Sequence, residues 1–372
     1  MTPVEDLLER PAEEAVRRIA LGHLEAATVA KPRVFDPEDE EGLHDFRVAV
    51  RRLRSVLRAY SDVLEGAVGK KLRRRLRDVA RSTGGGRDAE VARAWLASQR
   101  PRLSRRHRAG LDWALGRLDR RLGESAAPIR GGVGGFEAVA DRLHGRLVVY
   151  TAEVRLEPRR EDTFSAALAA RLERYAPALA KRLTAVAGPG DQAAAHRARL
   201  AAKRLRYLVE AATPAEPAAR ALVARLKGLQ DLLGELHDAH VLEAELAAWV
   251  EEAAAEQARG LLAVALASPG DDVPSPPRRP WEVVRSLIAV ARVNRGRRDE
   301  LFAALESKWL SAAGREAFEA QVAELLAALG GGEAADAEAA APPENGEAPP
   351  TPVENPVETP DQSPDQTPAV GD

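Results

Sequence analysis

The sequence predicts an all-α protein: two four-helix-bundle-like halves related by an internal pseudo-two-fold, followed by a disordered acidic Pro-rich tail. Three observations carry this expectation. Ala, Leu, Arg and Glu dominate the 372 residues, and all four favour helix. Alternating β-branched runs bounded by Asn-Gly turns, the mark of strands, are essentially absent. Finally, HDFRVAVRRLRSVLR at 44–58 returns as HRARLAAKRLRYLVE at 196–210.

The elements follow from the breakers. A first helix is expected over about 4–30, stopped by KPRVFDP at 31–37. Further helices are expected near 39–65, 68–83, 88–123, 135–187 (broken near Pro158), 190–212, 216–234, 236–267 and 280–329. Between them lie GGG at 84–86, GGVGG at 131–135, GPG at 188–190, TPAEP at 213–217 and SPGDDVPSPPRRP at 268–280. The repeat extends beyond the first motif. Shifted by 150 residues, Leu72 meets Leu222, Leu76 meets Leu226, Arg77 meets Lys227, Gly84 meets Gly234 and Asp88 meets Asp238. A period this long marks a duplicated domain half, not a short solenoid repeat, and long helices with short turns suit bundles. The halves are placed at about 1–156 and 157–330, with the tail at 331–372.

The net charge of −2 hides an asymmetry. The tail holds ten Asp/Glu and no Lys or Arg, leaving residues 1–330 with 55 basic and 47 acidic residues, a net of +8. The tail also has almost no large apolar residues, so it cannot bury a core and is expected to be disordered. There is no Cys, which excludes disulfides, thiolate metal sites and a thiol nucleophile. No apolar stretch reaches the roughly 18 residues of a membrane span. MTPVEDLLER lacks a secretory pattern. A cytoplasmic protein without membrane partners is expected.

On a helix over 44–58, Phe46, Val50, Leu53 and Leu57 form one apolar stripe. Arg47, Arg51, Arg54 and Arg58 form the stripe beside it, with His44 at its edge. In the second copy Ala198, Ala202, Leu205 and Val209 form the apolar stripe, and Arg199, Lys203 and Arg206 flank it behind His196. Like charges four residues apart repel by a few tenths of a kcal/mol. The ordinary account of such a run is a solvated face or a row of inter-helix ion pairs. Two features argue against it. The stripe recurs at matching positions, and from His44 to Arg87 thirteen Lys/Arg face four Asp/Glu. Local acids cannot neutralise that excess, so an external polyanion is expected. Arg suits phosphate because its planar fork donates two parallel hydrogen bonds and keeps its charge.

LHDFRVAVRRLRSVLRAY and AHRARLAAKRLRYLVEAA resemble the two signature helices of the CHAD family, the conserved histidine α-helical domain. GGRDAEV and LHDAHVL resemble the Arg-Asp blocks that follow them. The resemblance covers roughly residues 5–330. It implies two four-helix bundles about an internal two-fold, with a basic groove between them that binds inorganic polyphosphate without catalysis. It also implies cytoplasmic polyphosphate granules as the location, with other granule proteins as possible company. By position it carries anion binding onto His44, Arg47, Arg51, Arg52, Arg54, His196, Arg199, Lys203, Arg204 and Arg206, with Arg74, Arg77 and Lys227 as additions. No cofactor or metal is implied. Asp45 and Glu210 put acids beside the stripes, and His237 stands where the block has Arg. Many members carry a triphosphate-tunnel domain with an E-x-E-x-K strand; that motif is absent, so a stand-alone module is expected.

Two alternatives compete. Nucleic acid is also a polyanion, but single-strand binding needs aromatic platforms, and only Tyr60 and Tyr207 lie in the signature helices. An HD-type metal phosphohydrolase would use pairs such as His44-Asp45 or His237-Asp238, and His237, His240 and Glu243 have spacing that could point at one metal. Strong cations nearby disfavour that. Trp95, Trp113, Trp249, Trp281 and Trp309 are expected in packing roles.

Overall fold

The computed structural model describes residues 7–36, 38–39, 41–83, 86–149, 163–267 and 281–330. Eleven α-helices are found among them: α1 (Ala12–Arg33), α2 (Gly42–Ala59), α3 (Lys70–Ser82), α4 (Arg87–Gln99), α5 (Arg108–Gly134), α6 (Phe136–Val148), α7 (Phe164–Thr184), α8 (Gln192–Val209), α9 (Pro217–Ala267), α10 (Glu282–Leu305) and α11 (Ala312–Ala328). Short 3₁₀ turns precede α5 and follow α8, and a π-helical turn follows α10. No strand occurs among the described residues, only an isolated bridge between Pro11 and Thr163. The tail expected at 331–372 and the break near Pro158 lie outside the described residues, as does the expected boundary between the halves.

The packing repeats itself. Helix α1 lies against α2 and α6 as α7 lies against α8 and α11. Helix α3 lies against α2 and α6 as α9 lies against α8 and α11. The equivalent pairs α1–α7, α2–α8 and α5–α10 touch each other, as partners across a pseudo-two-fold must. At the start of α1 and α7 the tie is backbone: Phe164 N–H donates to Arg10 O at 2.8 Å and Ser165 N–H to Leu8 O at 2.9 Å.

Two cores result, and both are shared between the halves. The larger joins α1, α2, α6, α7, α8, the first half of α9 and α11 around Phe46, Leu53, Phe136, Phe164, Leu205 and Leu226, all fully buried. Burying each such side chain contributes about 1.5–3 kcal/mol. The smaller core joins α4, α5, the second half of α9 and α10 around Leu96, Leu111, Leu246 and Leu287. Met1–Gly332 therefore form one compact unit.

Several expected boundaries move. The segment 88–123 is interrupted around Pro101, between α4 and α5. GGVGG does not break a helix until its last glycine, since α5 runs to Gly134. The segment 280–329 is broken by the π turn and by Ser311, whose hydroxyl caps α11 at Gly314 N–H, 3.1 Å. The expected break after Gly234 does not exist: α9 runs unbroken for 51 residues. Leu229, Leu233, Leu236, Ala239 and Leu242 keep the helical period through Gly234, and all are buried. Their packing outweighs the roughly 1 kcal/mol cost of one helical Gly. The first half has three glycines at the matching place, and Gly86 adopts φ 86°, left-handed, so α3 and α4 separate.

The α5–α10 crossing depends on a small residue. A Cβ at Gly110 would stand 2.7 Å from Leu287 N and 2.8 Å from Ser286 Cβ. Gly110 N–H donates to Ser286 Oγ at 2.9 Å. Gly110→Ala should therefore destabilise by about 1–3 kcal/mol. Gly116→Ala on the same helix, where nothing lies within 4 Å, should be neutral or stabilise by up to about 1 kcal/mol. Guanidinium unfolding of both variants checks this, and equal effects would contradict close packing at the crossing.

Candidate functional site: a cationic cleft between the paired helices

The site forms because α2 and α8 bury their apolar stripes in one core while touching each other. Phe46, Val50, Leu53 and Leu57 on α2, and Ala198, Ala202, Leu205 and Val209 on α8, are at most 1% exposed. The neighbouring stripe on each helix, about 100° round, is then forced to the seam. Arg47, Arg51, Arg54, Arg199, Lys203 and Arg206 are all half-buried there.

Their partners are few. Arg51 Nε donates to Tyr207 Oη at 2.7 Å, and Arg206 lies over the Tyr207 ring at 4.8 Å. Arg47 Nε donates to Thr83 O at 2.5 Å, and its guanidinium stands 3.5 Å from Glu90. The Nε atoms of Arg199 and Arg206 are buried without a hydrogen-bond partner among the described residues. Burial pushes the Lys203 ammonium down to about 8, with Arg199 and Arg51 adding to the shift and Asp238 opposing it. Burial also lowers Arg199, against the pull of Asp238 and Asp88. His196 and His237 sit with ring centroids 5.1 Å apart. Burial, Arg199 and His196 hold His237 down at about 4, and burial, Arg199 and Lys203 lower His196. Both are neutral near pH 7.

On one side of this seam Arg51, Arg54, Arg58, Lys203 and Arg204 line a cleft of about 320 Å³, floored by Tyr175, Tyr207 and Leu208. Among the described residues its lining contains no carboxylate. Arg54 is depressed by burial and then by Arg77, Arg58 and Arg81. Arg204 is depressed by burial and then by Arg58 and Arg182.

The duplication explains why the cleft has one side. At an offset of 152 residues, Arg52 matches Arg204 and Arg58 matches Glu210. One pair is a salt bridge, Arg52 Nη2 to Glu210 Oε1 at 2.5 Å. Its counterpart sets Arg204 against Arg58, two cations. One residue exchange thus closes one mouth of the seam and leaves the other charged.

The expected residues separate accordingly. Arg51, Arg54, Lys203 and Arg204 come together in the cleft. Arg199, Arg206 and His196 stand behind it on the same helix. Arg52 is engaged by Glu210 and Arg47 by Thr83. His44, Arg74 and Lys227 are exposed and outside the cleft lining. Arg77 is exposed, 4.0 Å from Asp78, but its charge reaches Arg54. Arg58 was visible on the sequence stripe without being placed in the anion set. Tyr175 and Arg182, from α7, had no sequence signal because they join only through α7–α8 packing. His237, His240 and Glu243 do not converge: His237 faces His196, His240 Nε2 donates to Pro189 O at 2.7 Å, and Glu243 accepts from Arg298 at 2.8 Å. Among the described residues no group of three His, Asp or Glu could hold a metal ion, and no helix is long and apolar enough to cross a membrane.

Fold and seam together define a duplicated all-helical module with a cationic cleft where its halves meet. The CHAD domain model matches residues 18–247, and the chain belongs to that family. Among solved structures it is similar to the CHAD domain from the plant Ricinus communis. That match has 21% identity and a TM-score of 0.52, over 84% of this chain and 91% of the other. It is also similar to PptA from Streptomyces chartreusis, with 16% identity and a TM-score of 0.57, over 81% of this chain and all of that one. No curated protein sequence matches significantly.

Lys203 gives a test of the buried charge. Its ordinary value is 10.5 and its folded value about 8, so the unfolded chain binds the proton more tightly. The resulting cost to stability is present below pH 8 and disappears as pH rises towards 10.5. Lys203→Met should therefore stabilise the anion-free protein by about 2 kcal/mol at pH 7. The gain should vanish by about pH 10. A gain that did not change with pH would show that Lys203 is not under this strain.

Proposed function

We propose that the chain binds inorganic polyphosphate in the α2–α8 cleft, non-covalently and without catalysis. The observation that supports this reading is five cations lining one cleft with no carboxylate among the described lining residues. Such a lining is unfavourable until an anion fills it, and a linear polyphosphate supplies one charge per unit along its length. Arg51, Arg54, Arg58 and Arg204 offer forked donors for phosphoryl oxygens, and Lys203 offers a point charge between them. Arg199 and Arg206 deepen the potential from behind, beside the neutral His196. A cytoplasmic location at polyphosphate granules, among other granule proteins, is what this reading implies for the cell.

The aromatic groups at the cleft suit phosphate better than nucleic acid. Tyr207 is 6% exposed and its hydroxyl is taken by Arg51, so it presents no open face for a base to stack on.

Titration with long-chain polyphosphate, in competition with duplex DNA and single-stranded RNA at matched phosphate, tests the proposal. Polyphosphate should win by at least tenfold. The double variant Arg51→Glu, Lys203→Glu should lose binding while keeping its helical signal. Unchanged affinity would sink the site assignment. Log affinity should fall with log salt at a slope of about −3.5, at about 0.7 per phosphate for five cations.

Proton linkage supplies an independent check. A bound anion stabilises charged Lys203, raising its value above the free value of about 8. Affinity should be level just below pH 8 and fall above it, with one proton taken up on binding. Lys203→Arg should flatten that profile. A profile equally steep in the variant would assign the proton elsewhere.

A further inference from the structure

A second cationic cleft lies on the other face of α3. It measures about 690 Å³ and is walled by Lys71 and Arg75 from α3 and by Arg142 and Arg146 from α6. Gly66, Gly69 and Gly145 open its rim, and Glu65 is the only acid among its described lining residues. A Cβ at any of these glycines would meet nothing within 4 Å, so the backbone there is accessible. Gly69 begins α3, whose first turn has no acidic residue and no side-chain cap. Its free N–H groups add positive potential at the same mouth. On α3 these cations face away from Arg77 and Arg81, which act on Arg54 in the first cleft. The two clefts are therefore separate.

None of the four cations makes a side-chain hydrogen bond or ion pair among the described residues. That contrasts with arginines elsewhere on the surface. Arg93 pairs with Asp119, Arg100 with Asp112, Arg117 with Glu252 and Arg121 with Glu245. The duplication provides an internal control. Helix α11 matches α6: FEAVADRLHGRL lies over FEAQVAELLAAL, with buried Phe136, Leu143 and Leu147 over Phe318, Leu325 and Leu329. In that register Arg142 becomes Glu324 and Arg146 becomes Ala328. On the other wall Lys71 becomes Ala221, and Arg75 becomes Arg225. Arg225 is turned into the fold instead, 4.7 Å over the Trp309 ring and donating to Gly314 O at 2.7 Å. The second half carries the same scaffold without the charge, so the scaffold does not require it.

We propose that the α3–α6 cleft is a second anion site, specific to the first half, that takes two or three linked phosphoryl groups. Its volume exceeds that of the α2–α8 cleft, its described lining residues include no aromatic ring for a base, and its donors are charged side chains plus a helix start. The site stands whether or not the α2–α8 cleft takes polyphosphate. The phosphoryl groups belong either to one long chain gripped at both clefts or to separate short oligophosphates.

Calorimetric titration of the full chain with tripolyphosphate at low salt tests this, and two sites should be seen. Arg142→Glu with Arg146→Ala gives α6 the residues that α11 already carries, so it should fold normally. It should remove one site, or weaken it at least tenfold. Arg75→Ala should weaken the same site severalfold and serves as the check should the double variant misfold. Arg51→Glu with Lys203→Glu should remove only the other site, so failure of the first cleft and failure of this one read out in different variants. Unchanged stoichiometry and affinity in the α6 variants would overturn the proposal, as would a wild type that binds no tripolyphosphate. Long-chain polyphosphate then identifies the source. A tenfold or greater loss of its affinity in the α6 double variant supports one chain spanning both clefts. Loss of tripolyphosphate alone supports a site for short oligophosphates.

Discussion

The structure depends on one awkward crossing: two copies of the same amphipathic helix, each with cations beside its apolar stripe, packed against each other at the internal two-fold. The apolar stripes demand burial, and their burial drags the cations into the seam. The chain meets the resulting repulsion with very few acids. Tyr207 offers a hydroxyl, Thr83 a carbonyl, and Asp88 and Asp238 act on Arg199. For Lys203 the pull of Asp238 is outweighed by burial, Arg199 and Arg51, and the strain appears as a depressed proton affinity. The hydrophobic contribution of the large shared core is what allows this, because each buried Leu or Phe contributes more than a pair of like charges costs at a half-wetted seam.

Duplication makes the crossing possible, and divergence makes it specific. A strict two-fold would give the seam two identical mouths. Glu210 in place of a second Arg58 bridges Arg52 and closes one of them. Tyr207 in place of Ser55 lets Arg51 be held across the axis, while its counterpart Lys203 faces a short hydroxyl-bearing residue bonded to its own helix. The same divergence shapes the outer elements. Three glycines split α3 from α4, whereas one glycine leaves α9 whole. Helix α9 thereby runs through both cores and ties them together, a task the first half leaves to two helices.

What could be read from the sequence was whatever is written in a single period. The apolar and cationic stripes of α2 and α8 were legible because neighbours on a helix face recur every three or four residues. Arg51, Arg54 and Lys203 lie on the stripes that this pattern and the repeat mark, whereas Arg204 was implied only by the family resemblance. The rest depended on competition between signals. Gly234 looked like a stop because propensity was weighed without the flanking leucines that bury through it. Pro101 was overlooked inside a run of good helix formers. Arg74 and Lys227 lay near cations in sequence but face solvent, since a helix turns them away. Tyr175 and Arg182 belong to α7, outside the repeated motif, and only tertiary packing brings Tyr175 to the cleft and Arg182 within reach of Arg204.

The lack of a carboxylate among the described residues that line the cleft has a thermodynamic meaning. Had Asp or Glu lined the cleft, the folded protein would be more comfortable and an incoming anion would have to displace carboxylates, losing in one contact what it gained in another. Leaving the cations uncompensated moves part of the electrostatic cost into the anion-free fold, where the cores can bear it. On the proposed reading an anion would meet donors already gathered and partly desolvated, and its binding would relieve repulsion as well as form hydrogen bonds. A ligand that stabilises the fold in this way must bind the native state far better than the unfolded chain. The asymmetry at Glu210 confines the uncompensated charge to one mouth, where on the proposed reading a single linear anion would meet all of it.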